Sequence, residues 1–329
     1  MANPGWSCEE SPFHAGELAI QARLGVQERM DKQGRRMIRE YLPEQHRQFY
    51  SQLSFLIVGT VEDGGDLWAS ILVGEPGFIS SSDERRLTIK AKPLFNDPLN
   101  RSLCDRCDMG LLGIELQSRR RNRLNGVVEN IDDQGFELSV RQSFGNCPKY
   151  IQARTFQLQD FDPNEAKPSH VLDNFGEAEN LMITASDTFF IATAYQDSAV
   201  GIASGVDVSH RGGKPGFVRV DDDKTLTIPD FLGNYHFNTF GNLELNPHAG
   251  LLFIDFVRGD LLYLTGTAEV LWQDADVSNF AGAERLLRFY LQRGYRVEGS
   301  LPLRWSEPNF SPFLNGTGSW SFPESVSDN

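Results

Sequence analysis

Six consecutive residues carry the densest anion-binding chemistry in the chain. Ser209, His210, Arg211, Gly212, Gly213 and Lys214 set hydroxyl, guanidinium and ammonium groups beside two glycines that let a backbone approach a ligand closely. Such a segment suits a phosphate. It is no Walker A loop, because Gly213-Lys214 is followed by Pro215 rather than Ser or Thr. A little further on, Asn238 or Thr239 can cap a short helix that Asn246-Pro247 must end. The free N–H groups of a helix N-terminus attract phosphate.

A second cluster, RQSFGNCPKYIQAR at 141–154, gathers a Gly-Asn turn, a thiol, Lys149, Tyr150 and Gln152. That mixture can line a polar, aromatic pocket. By contrast, LQSRRRNRLNG at 116–126, with arginines at 119, 120, 121 and 123, reads as a solvated hairpin. GxSxG, HExxH and GxGxxG motifs are absent, and the six histidines fall into no metal-ligand spacing. Cys104 and Cys107 form a CxxC that lacks two further ligands, so no metal is expected. Hydrolase and metalloenzyme readings fall, and no catalytic residue is assigned. What survives is binding of a phosphorylated, aromatic cofactor that carries the chemistry itself.

The elements that must position these groups come in two copies. FLIVGT at 55–60 matches FFIATA at 189–194, and Ala69-Ser70 matches Ala203-Ser204, both at an offset of 134. GEPGF at 74–78 then pairs with GKPGF at 213–217 at 139, and GLLGIEL at 110–116 with GLLFIDF at 250–256 at 140. The change of offset places an insertion, GVDVSHRGGK against ILVGE, between Ser204 and Pro215. Each block is a β-branched or aromatic run bounded by Gly, Pro, Asp or Asn, which is the strand signature. Short strands at close spacing predict a small barrel in each copy. Asp97 stands at the helix entrance of copy one, where a carboxylate would repel an anion, so copy two is the better anion site.

The expected organisation is a helical extension over 1–50, a first barrel over 51–157 and a linker over 158–180. A second barrel over 181–272 and a C-terminal helix and tail over 273–329 follow, the helix near 276–292 and the tail at SFPESVSDN. An N-terminal helix is expected over 12–32. With 31 Lys and Arg against 45 Asp and Glu, the net charge is −14, which argues against a nucleic-acid or anionic-membrane partner. Hydrophobic residues at 40% are enough for real cores. No apolar run approaches a membrane span, and a cytoplasmic address follows by default.

The stretch 206–270 resembles the pyridoxamine 5′-phosphate oxidase-like family of FMN-binding split β-barrels. The blocks DVSxRG, PGFVRV, TLxIPD, GNxxxxT, GNLxxNPxAGLLF and LTGxAEV follow in that order. NCPKYIQ at 146–152 and the SPFHAGE start resemble a tandem branch of the family, sometimes joined to ferredoxin-reductase modules. The resemblance implies a mainly β chain with flanking helices, in which two tandem split barrels form a pseudo-dimer; a homodimer stays open. It implies FMN in a groove between barrels, with phosphate contacts at Ser209, Arg211, Asn234 and Thr239. Gly212, Lys214, His236 and Asn242 belong to the same set, and Lys149, Tyr150 and Gln152 reach over to the flavin ring or ribityl chain. Where many relatives carry Arg or Lys, this chain has Tyr235, His236, Phe240 and Gly241, so Arg211 and Lys214 are the nearby cations expected.

The implied function is an FMN-dependent oxidoreductase passing hydride or electrons to a small acceptor, with any reductase a separate protein. The alternatives are a flavin-binding carrier or sensor without turnover, or a cofactor-free interaction module.

Overall fold

Strand-forming runs in each half of the chain assemble into an antiparallel sheet, and the two sheets share one strand order. The computed structural model describes residues 5–197 and 201–320. Three helices lead in: α1 (Ala15–Arg23), α2 (Gln27–Met37) and α3 (Glu44–Ser51). The first sheet holds β1 (Phe55–Val61), β2 (Leu67–Val73), β3 (Ile79–Ser80), β4 (Arg86–Ile89), β5 (Asp108–Glu115), β6 (Arg120–Asp132) and β7 (Gly135–Gly145). A short helix α4 (Leu99–Ser102) interrupts it. The connection carries β8 (Phe156–Leu158), β9 (Ser169–Leu172) and α5 (Glu177–Ala185).

The second sheet holds β10 (Thr188–Tyr195), β11 (Gly205–Gly212), β12 (Arg219–Val220), β13 (Thr225–Phe231), β14 (His248–Ile254), β15 (Leu261–Leu271) and β16 (Ala283–Val297). Helix α6 (Asn238–Leu245) lies between β13 and β14, and β17 (Leu303–Trp305) pairs with β8. The orders are β2-β1-β5-β6-β7-β4-β3 and β11-β10-β14-β15-β16-β13-β12, the same strand for strand. Both sheets run between two edge strands, so neither ladder closes on itself.

Four apolar cores follow, one of them packing Phe13, Met30 and Ile38 of the N-terminal extension against Phe144. One lies within the first sheet around Leu56, Leu87 and Phe136, and one within the second around Phe189, Phe253 and Phe289. The fourth joins the sheets, with Ile57, Trp68 and Leu112 against Phe190, Val208 and Leu252. Backbone meets backbone there: a Cβ at Gly110 would stand 2.5 Å from the Val206 carbonyl oxygen, and one at Gly250 would stand 2.4 Å from that of Leu67. The two glycines open GLLGIEL and GLLFIDF, so the same repeat position makes the same close approach from each side.

Several expectations need correction. The helix expected near 276–292 is one 3₁₀ stretch, Ala275–Asn279, followed by the long strand β16. Leu287, Phe289 and Leu291 are buried while Arg288 and Tyr290 are not, an alternation of period two. The Leu287 to Leu291 spacing fits a helix as well, which is why the reading failed. The second sheet therefore runs to Val297, and β9, within the expected linker, pairs with β16. The single helix over 12–32 is two, parted at Gly25 with φ of 67°. The final tail lies outside the described residues.

The insertion also moves. Val61 pairs with Leu67 in the first sheet, and Tyr195 with Gly205 in the second. Ser70 faces Val58 and its counterpart Val208 faces Ala192, so Ser70 does not correspond to Ser204. Most of the extra length sits in the connection at 196–204, and Ser209 to Gly212 belong to a strand rather than a loop.

Candidate functional site

β6 of the first sheet crosses to β11 of the second, and the period of two along each strand decides what meets. Arg121, Arg123 and Asn125 share a face of β6, as Asp207, Ser209 and Arg211 share one of β11. Arg123 donates to Asp207 Oδ1 at 3.0 Å and to Ser209 Oγ. Asn125 donates to the same Asp207 oxygen at 2.8 Å. Arg121 donates from Nε to the Cys147 carbonyl at 2.7 Å and from Nη1 toward the His210 carbonyl at 3.4 Å. Among the described residues it has no carboxylate partner.

This crossing forms one wall of an open cleft of about 130 Å³. Ser209 bonds Thr239 Oγ1 at 3.0 Å, which ties β11 to the first turn of α6. The residue before that helix is Phe237, in the left-handed region at φ 62°, and no side chain caps the helix. The expected capping by Asn238 or Thr239 does not occur, because the helix begins at Asn238 and Phe237 takes the cap position; Asn238 instead donates to Glu17 Oε1 at 2.5 Å. Free N–H groups of α6 thus open on the cleft. The lining also holds Arg211, paired with Asp230, and Arg285 near the start of β16. At the rim, Lys149 and Tyr150 from the first half both donate to the Leu232 carbonyl, at 3.4 and 3.3 Å.

Charge favours an anion. The lining holds Arg121, Arg123, Lys149, Arg211 and Arg285 against the carboxylates Asp230 and Glu284, in a chain of net charge −14. Burial pulls the Arg121 pKa down to about 10, with Arg123 and Arg211 adding like-charge repulsion that Cys147 partly offsets. Burial likewise pushes His210 well below its usual value, with Arg121 and Arg211 adding to it, so it stays neutral.

Of the residues singled out by sequence, Ser209, Arg211, Gly212, Asn234, Thr239, Lys149 and Tyr150 line this cleft. The other four lie behind it. Lys214 turns away to the Thr317 carbonyl at 2.7 Å. Gln152 is buried, donates to the Tyr150 and Gly213 carbonyls and accepts from Ser311 N at 2.9 Å. Asn242, on the buried face of α6, is held by His14, Thr193 and Asp207. His236 is wedged between Phe13 and Phe144, and burial holds its pKa at about 4.

Sequence reasoning missed Arg121 and Arg123. The supposed solvated hairpin is strand β6, and its arginines supply the cations absent around Tyr235 and His236. The signal was present in RNRLN, where Arg121, Arg123 and Asn125 fall at i, i+2 and i+4.

The corresponding place in the first copy is closed. Gly126 and Gly266 both sit at a β-bulge, which fixes the correspondence. Arg123 then matches Tyr263 and Arg121 matches Leu261. Asp97, fully buried, accepts from Ser70 Oγ at 2.7 Å, Leu99 N at 2.8 Å and Tyr263 OH at 2.9 Å. A carboxylate already occupies that helix entrance, as expected.

No protein-family model and no curated protein matches the chain. Among solved structures, it is similar to HupZ of Group A Streptococcus at 17% identity and TM-score 0.28, over 36% of this chain and 89% of that one. A putative pyridoxamine 5′-phosphate oxidase from Lactobacillus delbrueckii is 14% identical at TM-score 0.28, over 37% and 94%. A FAD-binding protein from Mesorhizobium loti is 13% identical at TM-score 0.26, over 39% and 97%. Each neighbour is matched over most of its length by little more than a third of this chain. At such scores they add nothing to what the cleft itself says. No helix among the described residues is long and apolar enough to cross a membrane, and no cluster of His, Cys, Asp and Glu there could hold a metal.

Proposed function

We propose that the cleft binds FMN and that the protein is a flavin-dependent oxidoreductase passing hydride or electrons to a small acceptor. The observation that carries this reading is Arg121, a part-buried guanidinium in the cleft with carbonyl partners and no carboxylate. Two further features fit a phosphate: the buried Nε of Arg123 has no partner, and α6 begins uncapped. Arg121, Arg123 and Arg211 would hold the phosphate, with the hydroxyls of Ser209 and Thr239 and the α6 N–H groups completing its shell. Lys149 and Tyr150, at the rim, would cover the ring and exclude water. When bound, the flavin supplies the hydride and electron transfer.

The shared strand order supports reading the chain as two tandem split barrels that face each other as the subunits of a dimer would. On that reading β6 of the first barrel gives to the second barrel's site what a partner subunit otherwise gives. Purified protein should absorb at about 450 nm, the band of oxidised flavin; colourless protein that takes up no added FMN contradicts the proposal. A carrier or sensor would use the same cleft. Stopped-flow reduction by NAD(P)H, alone and with a separate reductase, distinguishes turnover from storage.

A further inference from the structure

A second hollow of about 790 Å³ adjoins the cleft and shares Tyr235, Glu284 and Arg285 with it. Its own floor is Trp272, flanked by Arg23 and Leu24 of the N-terminal region. Two cations lie over the indole ring: Arg23 at 4.7 Å and Arg285 at 5.0 Å from its centroid. Arg285 is only 3% exposed; its Nε faces Asp230 Oδ2 at 3.6 Å without a hydrogen bond, and its Nη1 has no hydrogen-bond partner. A buried guanidinium nitrogen left without an acceptor costs free energy unless something fills the position. Its remaining nitrogen is engaged by Glu284.

Arg23 is the movable member of the pair. Its side chain is 53% exposed and meets Glu244 only at 3.8 Å. A planar base can stack on the indole or on the guanidinium plane once Arg23 lifts. Tyr235, in the left-handed region at φ 62°, presents a second ring to the same hollow. Glu284 offers carboxylate oxygens of the kind that accept hydrogen bonds from ribose hydroxyls.

We propose that this hollow binds an adenosine phosphate, its base stacked at Trp272 and its phosphate on Arg285 and Arg23. That moiety has two sources. It is the second half of a cofactor longer than FMN, or it belongs to a separate nicotinamide dinucleotide brought beside the flavin. The first source continues the ligand in the cleft, and the second rests on the oxidoreductase reading.

Calorimetric titration of ADP into FMN-saturated and FMN-free protein tests the site, with Trp272→Ala and Arg23→Glu as variants, neither of which lines the flavin cleft. The expected result is ADP binding to both forms, weakened about tenfold or more in each variant, while FMN affinity changes less than about twofold. FAD binding at least about tenfold tighter than FMN, with the advantage lost in Trp272→Ala, assigns the moiety to the cofactor. Equal affinity for FAD and FMN, with ADP still bound, assigns it to a separate nucleotide. No ADP binding to either form overturns the proposal, as does ADP binding that FMN abolishes or that neither variant weakens. Because ADP is also titrated into FMN-free protein, failure of the flavin reading does not decide this one.

Discussion

Arg121 and Arg123 stand two residues apart on one strand and differ in what neutralises them. Arg123 is buried against Asp207, so Arg123→Ala leaves a buried carboxylate with only the Asn125 and Asn242 amides. Breaking such a pair costs about 3 kcal/mol of stability, readable as a lower denaturation midpoint. Arg121 has no carboxylate to strand. Arg121→Gln should leave the midpoint within about 0.5 kcal/mol of the parent and act on anion binding alone; equal stability losses for both variants would contradict this division.

Asp97 makes a separate demand. Burial raises its pKa from 3.8 to about 6, against the lowering pull of its Ser70, Leu99 and Tyr263 hydrogen bonds. The folded chain thus binds this proton more tightly than the unfolded chain. The stabilisation is complete below 3.8 and is lost as pH rises through about 6. On the order of 3 kcal/mol is at stake. Melting curves from pH 4 to 7 should show the parent losing stability relative to Asp97→Asn as pH rises; parallel curves would refute the assignment. Residue types alone pointed to Ser209, Arg211, Thr239 and Asp97, because each chemistry is local. They did not separate His236 and Asn242 from the site, because which face of α6 is buried depends on α1.

That dependence belongs to the elements. Helix α1 packs on α6 so closely that a Cβ on Gly16 would stand 2.0 Å from the Gly241 carbonyl oxygen. His14 caps α1 and also bonds Asn242 at 2.9 Å, and Glu17 receives Asn238, so the N-terminal extension sets the position of the anion-facing helix. Gly16→Ala should cost about 2 kcal/mol or more by overpacking and weaken FMN binding by shifting α6. Urea denaturation and flavin titration check both; unchanged affinity in a destabilised variant would separate the extension from the site.

Most strands were legible as runs, and their order in the first sheet reappears in the second. The failures share a cause. β16 was read as a helix because Leu287 and Leu291 satisfy both periods, and β11 was read as an inserted loop because one chance Ala-Ser match outweighed strand register. Register is a property of paired strands, and a single sequence shows only one partner at a time.

At the scale of the whole molecule, two sheets of one order contribute unequally. Where the second sheet's entrance carries Arg121, Arg123, Ser209 and an uncapped helix, the first sheet's carries Leu261, Tyr263, Ile71 and the buried Asp97. Matched positions thus form one open cationic cleft and one closed polar network. The acidity of the chain sharpens this contrast, since the cleft lining sets five Lys and Arg against two carboxylates.

The central claim is therefore one flavin per chain, held through Arg121. Equilibrium titration of flavin-free protein with FMN, followed by flavin fluorescence, tests it directly. The account predicts saturation at about one FMN per chain and at least about a tenfold weaker affinity in Arg121→Gln, the loss of one charge-assisted phosphate contact. Saturation at two per chain, or an Arg121→Gln variant that binds as tightly as the parent, would contradict it.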